Sequence, residues 1–208
     1  EFSGKKKETE SKAEAAQRWA DSEAAGMIRP NDLYKWASNC MSCHVVPKER
    51  LVNVAGHPAG SAFNLVAWSQ GEVRHNTWWN DGAANAEATI EHKRMMFIVG
   101  VAVELESALR GVGEATAKAK YAVAMAKRAQ TARQRMAKLG EILGVPEIQE
   151  MAKAAAGAQL KLNNKAQLTA AADKVGDAAR RFAKAYDGKD FGAIDRAIPT
   201  KFKGEPKS

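Results

Sequence analysis

With 208 residues, 45% of them hydrophobic and 27% charged, the chain has the composition of a soluble globular protein large enough for one or two cores, which excludes disorder as its general state. The net charge of +8 at pH 7 favours an acidic partner or an anionic surface and carries no information about fold. The longest apolar run, Met95 to Val103, stops at Arg94 and Glu104, well short of the roughly 20 residues needed to span a bilayer; it predicts a buried helix segment and not an anchor.

Residues 1–26 read as a tail followed by a helix. The opening "EFSGKKKE" is expected to be an added scar plus the remains of a removed leader or membrane anchor, so the chain reads as a mature or trimmed form. Residues 27–84 are rich in Gly, Pro, Asn and Ser, as in "VAGHPAGSAFN", which predicts loops joining short helices around a large apolar object. All five tryptophans (Trp19, Trp36, Trp68, Trp78, Trp79), all four histidines and both cysteines lie between positions 19 and 92. Aromatic rings are suitable walls for such an object, or they form an ordinary small core.

Residues 85–198 predict a helical bundle, followed by a tail over 199–208. From Ala86 to Arg110, Ile90, Phe97, Val101, Leu105 and Leu109 mark one face, and His92, Met96, Val99 and Val103 a second. From Glu114 to Leu143, a seam of Ala122, Met125, Ala129, Ala132, Met136, Leu139 and Leu143 has coiled-coil spacing. Pro146 opens a shorter helix, expected to run to Leu162. The stretch from Lys165 to Tyr186 repeats the seam with Leu168, Ala171, Val175, Ala178, Phe182 and Ala185 and is stopped by Gly188. The fold class is therefore all-α: a loop-rich region with short helices packed on an antiparallel helical bundle.

Both cysteines fall in "ASNCMSCHVVPKERL", as Cys40 and Cys43 with His44 directly after. On a helical turn, positions i and i+3 share a side, so the two thiols face one partner together. A redox dithiol needs a strand-turn-helix setting, and no strand-like alternation surrounds Cys40. A structural zinc needs four ligands, and no pair among His44, His57, His75 and His92 has the spacing of a zinc-finger histidine pair. The leading reading is covalent haem, each thiol adding to one vinyl group and the imidazole binding iron.

Through "CMSCH" the chain resembles the c-type cytochromes, which implies one covalently attached haem c held by Cys40, Cys43 and His44 and a location outside the cytoplasm, periplasmic or equivalent. The chain is longer than class I cytochromes c, and its motif lies far from the C-terminal position found in cytochromes c′. A second likeness, carried by "GHPAGSAFNLVAWSQGEVRHNTWWN" and "RMMFIVGVAVELESALR", is to segments that follow a haem motif in multihaem periplasmic cytochromes, where two histidines commonly ligate each iron. At least two tryptophans, Trp36 and Trp78 among them, are expected at the haem.

The sixth iron position separates an electron carrier from a ligand binder. His75, in "RHNTWW", is the first choice; His57 in "GHPAG", His92 in line with Met96, and Met95 or Met96 are the others. Seven basic residues from Lys118 to Lys138, with no acidic one between them, can steer an acidic redox partner, lie on anionic lipid, or form a solvated face. Exposed Ala/Met seams leave room for a homo-oligomer, and nucleic acid is not expected as a partner. The chain reads as a monohaem electron-transfer protein with two histidine ligands, the alternative being a haem-based sensor or ligand-binding protein with an open or exchangeable sixth position. A peroxidase would need a distal acid-base pair, of which only Arg74 beside His75 is present, so no enzyme is expected.

Overall fold

Helix α5 (Ile90–Glu114) lies at the centre of the fold. Thr89 starts it by accepting from the His92 amide at 3.3 Å, and from Arg94 to Val112 it is buried on nearly every side. The two faces expected for it thus merge into one largely buried surface, with His92 and Phe97 half-buried and Ile90, 38% exposed, at its start. The computed structural model describes residues 9–74 and 86–204; among these there are eight α-helices and no strand.

Around α5 run α6 (Lys120–Leu143), α7 (Pro146–Ala156) and α8 (Lys165–Ala185). Each contact reverses direction: Glu104 meets Arg128 while Gly111 abuts Met125, Arg133 reaches Ala155 while Gly140 faces Gln149, and Glu147 bonds Tyr186 while Glu150 pairs with Arg181. Helix α8 returns to α5 with Leu168 beside Gly113 and Gly176 beside Glu106, closing an antiparallel four-helix ring. Both expected seams are buried, apart from half-covered Leu143 and exposed Ala185. They face their own chain.

Helix limits differ from the sequence reading where side chains from elsewhere take the backbone. Helix α5 runs to Glu114 and α6 starts only at Lys120, because Glu49 accepts from the Thr116 amide at 2.9 Å and the Ala117 amide at 3.3 Å. Helix α7 ends at Ala156 and not at Leu162. Gly157 follows it, and the Gln159 amide is taken by Gln167 Oε1 at 3.0 Å.

The N-terminal helices hang on this bundle. Helix α1 (Lys12–Ala24) begins with a reciprocal cap between Ser11 and Glu14. Helix α2 (Leu33–His44), capped by Asp32, packs on α5 and α8, and its Tyr34 hydroxyl donates to Glu106 Oε2 at 2.6 Å. Burial and then Glu106 push the Tyr34 hydroxyl pKa up to about 12. Glu106 also receives Arg110 at 2.7 Å, and Arg180 lies over the Tyr34 ring at 4.4 Å. Helix α3 (Glu49–Asn53) caps α6, with Asn53 Oδ1 accepting from the Tyr121 amide at 3.0 Å. Helix α4 (Leu65–Ser69) packs on α5. One apolar cluster runs from Leu33 to Ile198, so the loop-rich region and the bundle share a core.

The C-terminal stretch is held as well. Arg94 makes a two-pronged pair with Asp195 at 2.7 and 2.8 Å, fixing the 3-10 helix Lys189–Ala197 under α5. Beyond it, the Lys203 amide donates to the Ala67 carbonyl at 2.8 Å, and the Glu72 amide to the Lys203 carbonyl at 2.9 Å. A Cβ at Gly71 would stand 1.9 Å from the Lys203 carbonyl oxygen, so only glycine permits this approach.

Gly176 tests the mooring of α2. A Cβ there would lie 2.7 Å from Glu106 Oε2, the oxygen that Tyr34 uses. In Gly176→Ala the overpacking cost of about 1–3 kcal/mol should exceed the helix-propensity gain of about 1 kcal/mol. Urea unfolding should show a lower midpoint with an unchanged slope.

Candidate functional site

"CMSCH" forms the last turn of α2, and the helix ends there because Val45 takes up extended backbone after donating its amide to Met41. Cys40 is half-buried and Cys43 exposed, and both thiols are free. With His44 and Trp36 they line one side of a cavity of ≈ 390 Å³. Phe63, Leu65 and Trp68 line it from α4 and the turn before it, and Ile28 and Val73 complete the apolar wall. The volume falls within the roughly 300–1,000 Å³ of cofactor and small-molecule sites.

The imidazole of His44 is fixed on three sides. Its ring stacks on Phe63 at 4.1 Å and 22°, and the Trp68 ring stands 5.4 Å away. Its Nδ1 is bonded to Ser61 Oγ at 2.6 Å, which leaves Nε2 as the nitrogen for a metal. Burial, and then the nearby Arg128 charge, hold the His44 pKa below its ordinary value, so the ring is neutral and able to ligate. Burial raises the pKa of Cys40.

The remaining expected site residues are spread differently. His75 and Trp78 lie outside the described residues. His57 is exposed, on a turn, with Nδ1 bonded to the neighbouring Pro58 carbonyl at 2.7 Å, and His92 sits in the first turn of α5; neither lines the cavity. Met95 and Met96 are core residues, and the Met96 sulfur accepts from Ser69 Oγ at 3.3 Å. Trp19 has the guanidinium groups of Arg18 and Arg29 over its ring, at 4.4 and 4.3 Å, and does not line the cavity. Phe63, Ser61 and Arg128 were not anticipated. For Phe63, the signal in the sequence was "AFNLVAWS", an aromatic pair around an Asn-capped turn.

Two observations bear on what the cavity suits. Among the described residues, Trp68 Nε1 is buried without a hydrogen-bond partner, an uncommon state for an indole lining a cavity and one that a polar group of a bound molecule would relieve. Among the described residues, no cluster of three or more His, Cys, Asp or Glu side chains is arranged to hold a metal ion. Two thiols and one imidazole on the wall of an aromatic cavity match a planar macrocycle bonded through its edge and ligated at its centre. No known family, curated protein or solved structure matches the chain.

The exposure of the two sulfurs is directly checkable. In chain whose thiols are both unmodified, iodoacetamide at mildly alkaline pH should alkylate Cys43 before Cys40, because burial both hides the Cys40 sulfur and disfavours its thiolate. Peptide mass analysis over time reads the order, and equal rates would mean that the last turn of α2 is frayed.

Proposed function

We propose that the chain is a monohaem c-type cytochrome working in electron transfer outside the cytoplasm. The carrying observation is that Cys40, Cys43 and His44 line one aromatic cavity whose imidazole has Nε2 left for iron. Cys40 and Cys43 would bind the porphyrin through thioether bonds, His44 would ligate iron, and Trp36, Phe63 and Trp68 would wall the ring. When bound, haem c supplies a one-electron ferric/ferrous couple. The protein's part is to keep the ring dry, hold the imidazole rigid and spare the iron any change of geometry.

His75 is proposed as the second ligand. Val73 lines the cavity, and His75 follows two residues later, a chain reach of at most about 7 Å. Ala88, beyond that stretch, is tied back by its amide N–H, which donates to Oε1 of Gln70, the residue after cavity-lining Ser69, at 2.7 Å. A closed iron with two imidazoles transfers electrons and does not readily take up substrates.

Charge favours an acidic redox partner. Within the basic stripe, Arg128 and Arg135 turn to Glu104 at 2.9 and 3.7 Å, Lys138 pairs with Glu141, and Arg133 reaches carbonyls at the end of α7. Lys118, Lys120 and Lys127 are exposed, as are Arg135 and Lys138 beside their carboxylates, so the outward charge runs along α6. Arg128 also bonds Ser61, which puts this part of α6 beside the cavity.

The haem reading predicts that denatured protein keeps its haem and that the pyridine haemochrome has the spectrum of a porphyrin with both vinyl groups saturated. Cys40→Ala and Cys43→Ala should each lower haem incorporation, and haem extracted by acid-acetone, or a full complement of zinc, would end the reading.

Ligation by His75 predicts a low-spin ferric spectrum. His75→Ala should give a high-spin iron that binds carbon monoxide when reduced, while His57→Ala and His92→Ala stay low-spin. Unmutated protein that is already high-spin and binds carbon monoxide would replace electron transfer with the sensor reading.

A further inference from the structure

We infer that Ser61 and Arg128 are positioning residues for His44, and that Arg128 carries charge control from the bundle to the iron; the inference rests on the haem reading above. Ser61 grips the same residue twice. Its amide donates to the His44 carbonyl at 3.2 Å, and its hydroxyl meets His44 Nδ1 at 2.6 Å. Ser61 is in turn held by Arg128, whose Nη2 donates to the Ser61 carbonyl at 2.7 Å. The other guanidinium arm pairs with Glu104 at 2.9 Å, with both side chains little exposed, at 16% and 12%. Gly60 makes room for this assembly: at φ +133°, a Cβ there would lie 2.5 Å from the His44 carbonyl oxygen and 2.9 Å from Arg128 Nη2.

The two contacts act on iron with opposite sign. With iron on Nε2, His44 must carry its proton on Nδ1, so Nδ1 donates and the Ser61 hydroxyl accepts. That bond makes the imidazole a more basic ligand and favours ferric iron. Arg128 places a poorly screened positive charge next to the ligand assembly, which favours the ferrous state, since ferrous iron carries one positive charge fewer. A purely structural loosening of the site would not separate these two signs.

The test is spectroelectrochemical titration of the haem-bearing protein and its variants, each first checked for covalent haem by pyridine haemochrome. Arg128→Gln should lower the midpoint potential, shifting the one-electron equilibrium by up to about tenfold, or about 59 mV. Arg128→Lys should restore most of that shift, because it keeps the charge. Ser61→Ala should raise the potential. If Arg128→Gln does not fold, Glu104→Gln reads the same coupling and should raise the potential. Covalent haem in every protein with Arg128→Gln and Ser61→Ala shifted in the same direction, or unshifted, overturns the inference while leaving the haem reading intact, and so does a Glu104→Gln potential that is unchanged or lowered where that variant stands in for Arg128→Gln. Absence of covalent haem from the unmutated protein overturns the haem reading, and the inference falls with it.

Discussion

A helix that is apolar on nearly every side has to be covered on every side, and α5 imposes that requirement on the rest of the chain. Bundle helices α6 and α8 cover two sides, α2 and α4 a third, and the 3-10 helix closes its start. Each buried side chain of Leu or Val size is worth about 1.5–3 kcal/mol, so a central helix carrying Ile98, Val99, Leu105 and Leu109 outweighs any single surface contact. The polar groups that remain inside are paired for the same reason. Glu106 lies among apolar residues only because Tyr34 and Arg110 both donate to it, and Gly176 leaves it the space.

The proposed haem site inherits its rigidity from that arrangement. Helix α2 supplies the two thiols and the imidazole, and its own length is fixed against α5 and α8. The connection that follows would otherwise be a long loop, yet it is tied at three places: Glu49 and Asn53 at the start of α6, Ser61 at His44, and Asn64 at the start of α4. The C-terminal stretch adds a fourth tie through Lys203 to Ala67 and Glu72. A wall held at both chain ends keeps its aromatic rings in place, which is what a redox cofactor needs if its surroundings are to change little with charge.

Charge is distributed with similar economy. The stripe on α6 looks uniformly basic along the chain, but in three dimensions Glu104 of α5 takes up Arg128 and Arg135. What faces outward without an ion pair to Glu104 or Glu141 is Lys118, Lys120 and Lys127, while Arg135 and Lys138 are exposed beside their carboxylates. The guanidinium that appears as surface charge in the sequence is an internal strut beside the imidazole.

Local grouping was legible in the sequence. Cys40, Cys43 and His44 could be grouped because their relation is one helical turn, and the seams of α6 and α8 because burial repeats at helical spacing. The all-α class followed from the same periodicity. The limits of α5, α6 and α7 were not legible, since the amides that would have lengthened or ended those helices are taken by Glu49 and Gln167. Nor were the partners of His44. Ser61 lies 17 residues along the chain, and the contact from Arg128 to Ser61 spans 67 residues, separations at which no pattern of residue types encodes proximity. The sequence by itself determined that Cys40, Cys43 and His44 fall on one helical turn and which faces must be buried, because both depend on neighbours within a turn or two. The tertiary structure alone decided which distant side chains close the cavity and which cation stands beside its imidazole, because those depend on how four helices and a loop pack around α5.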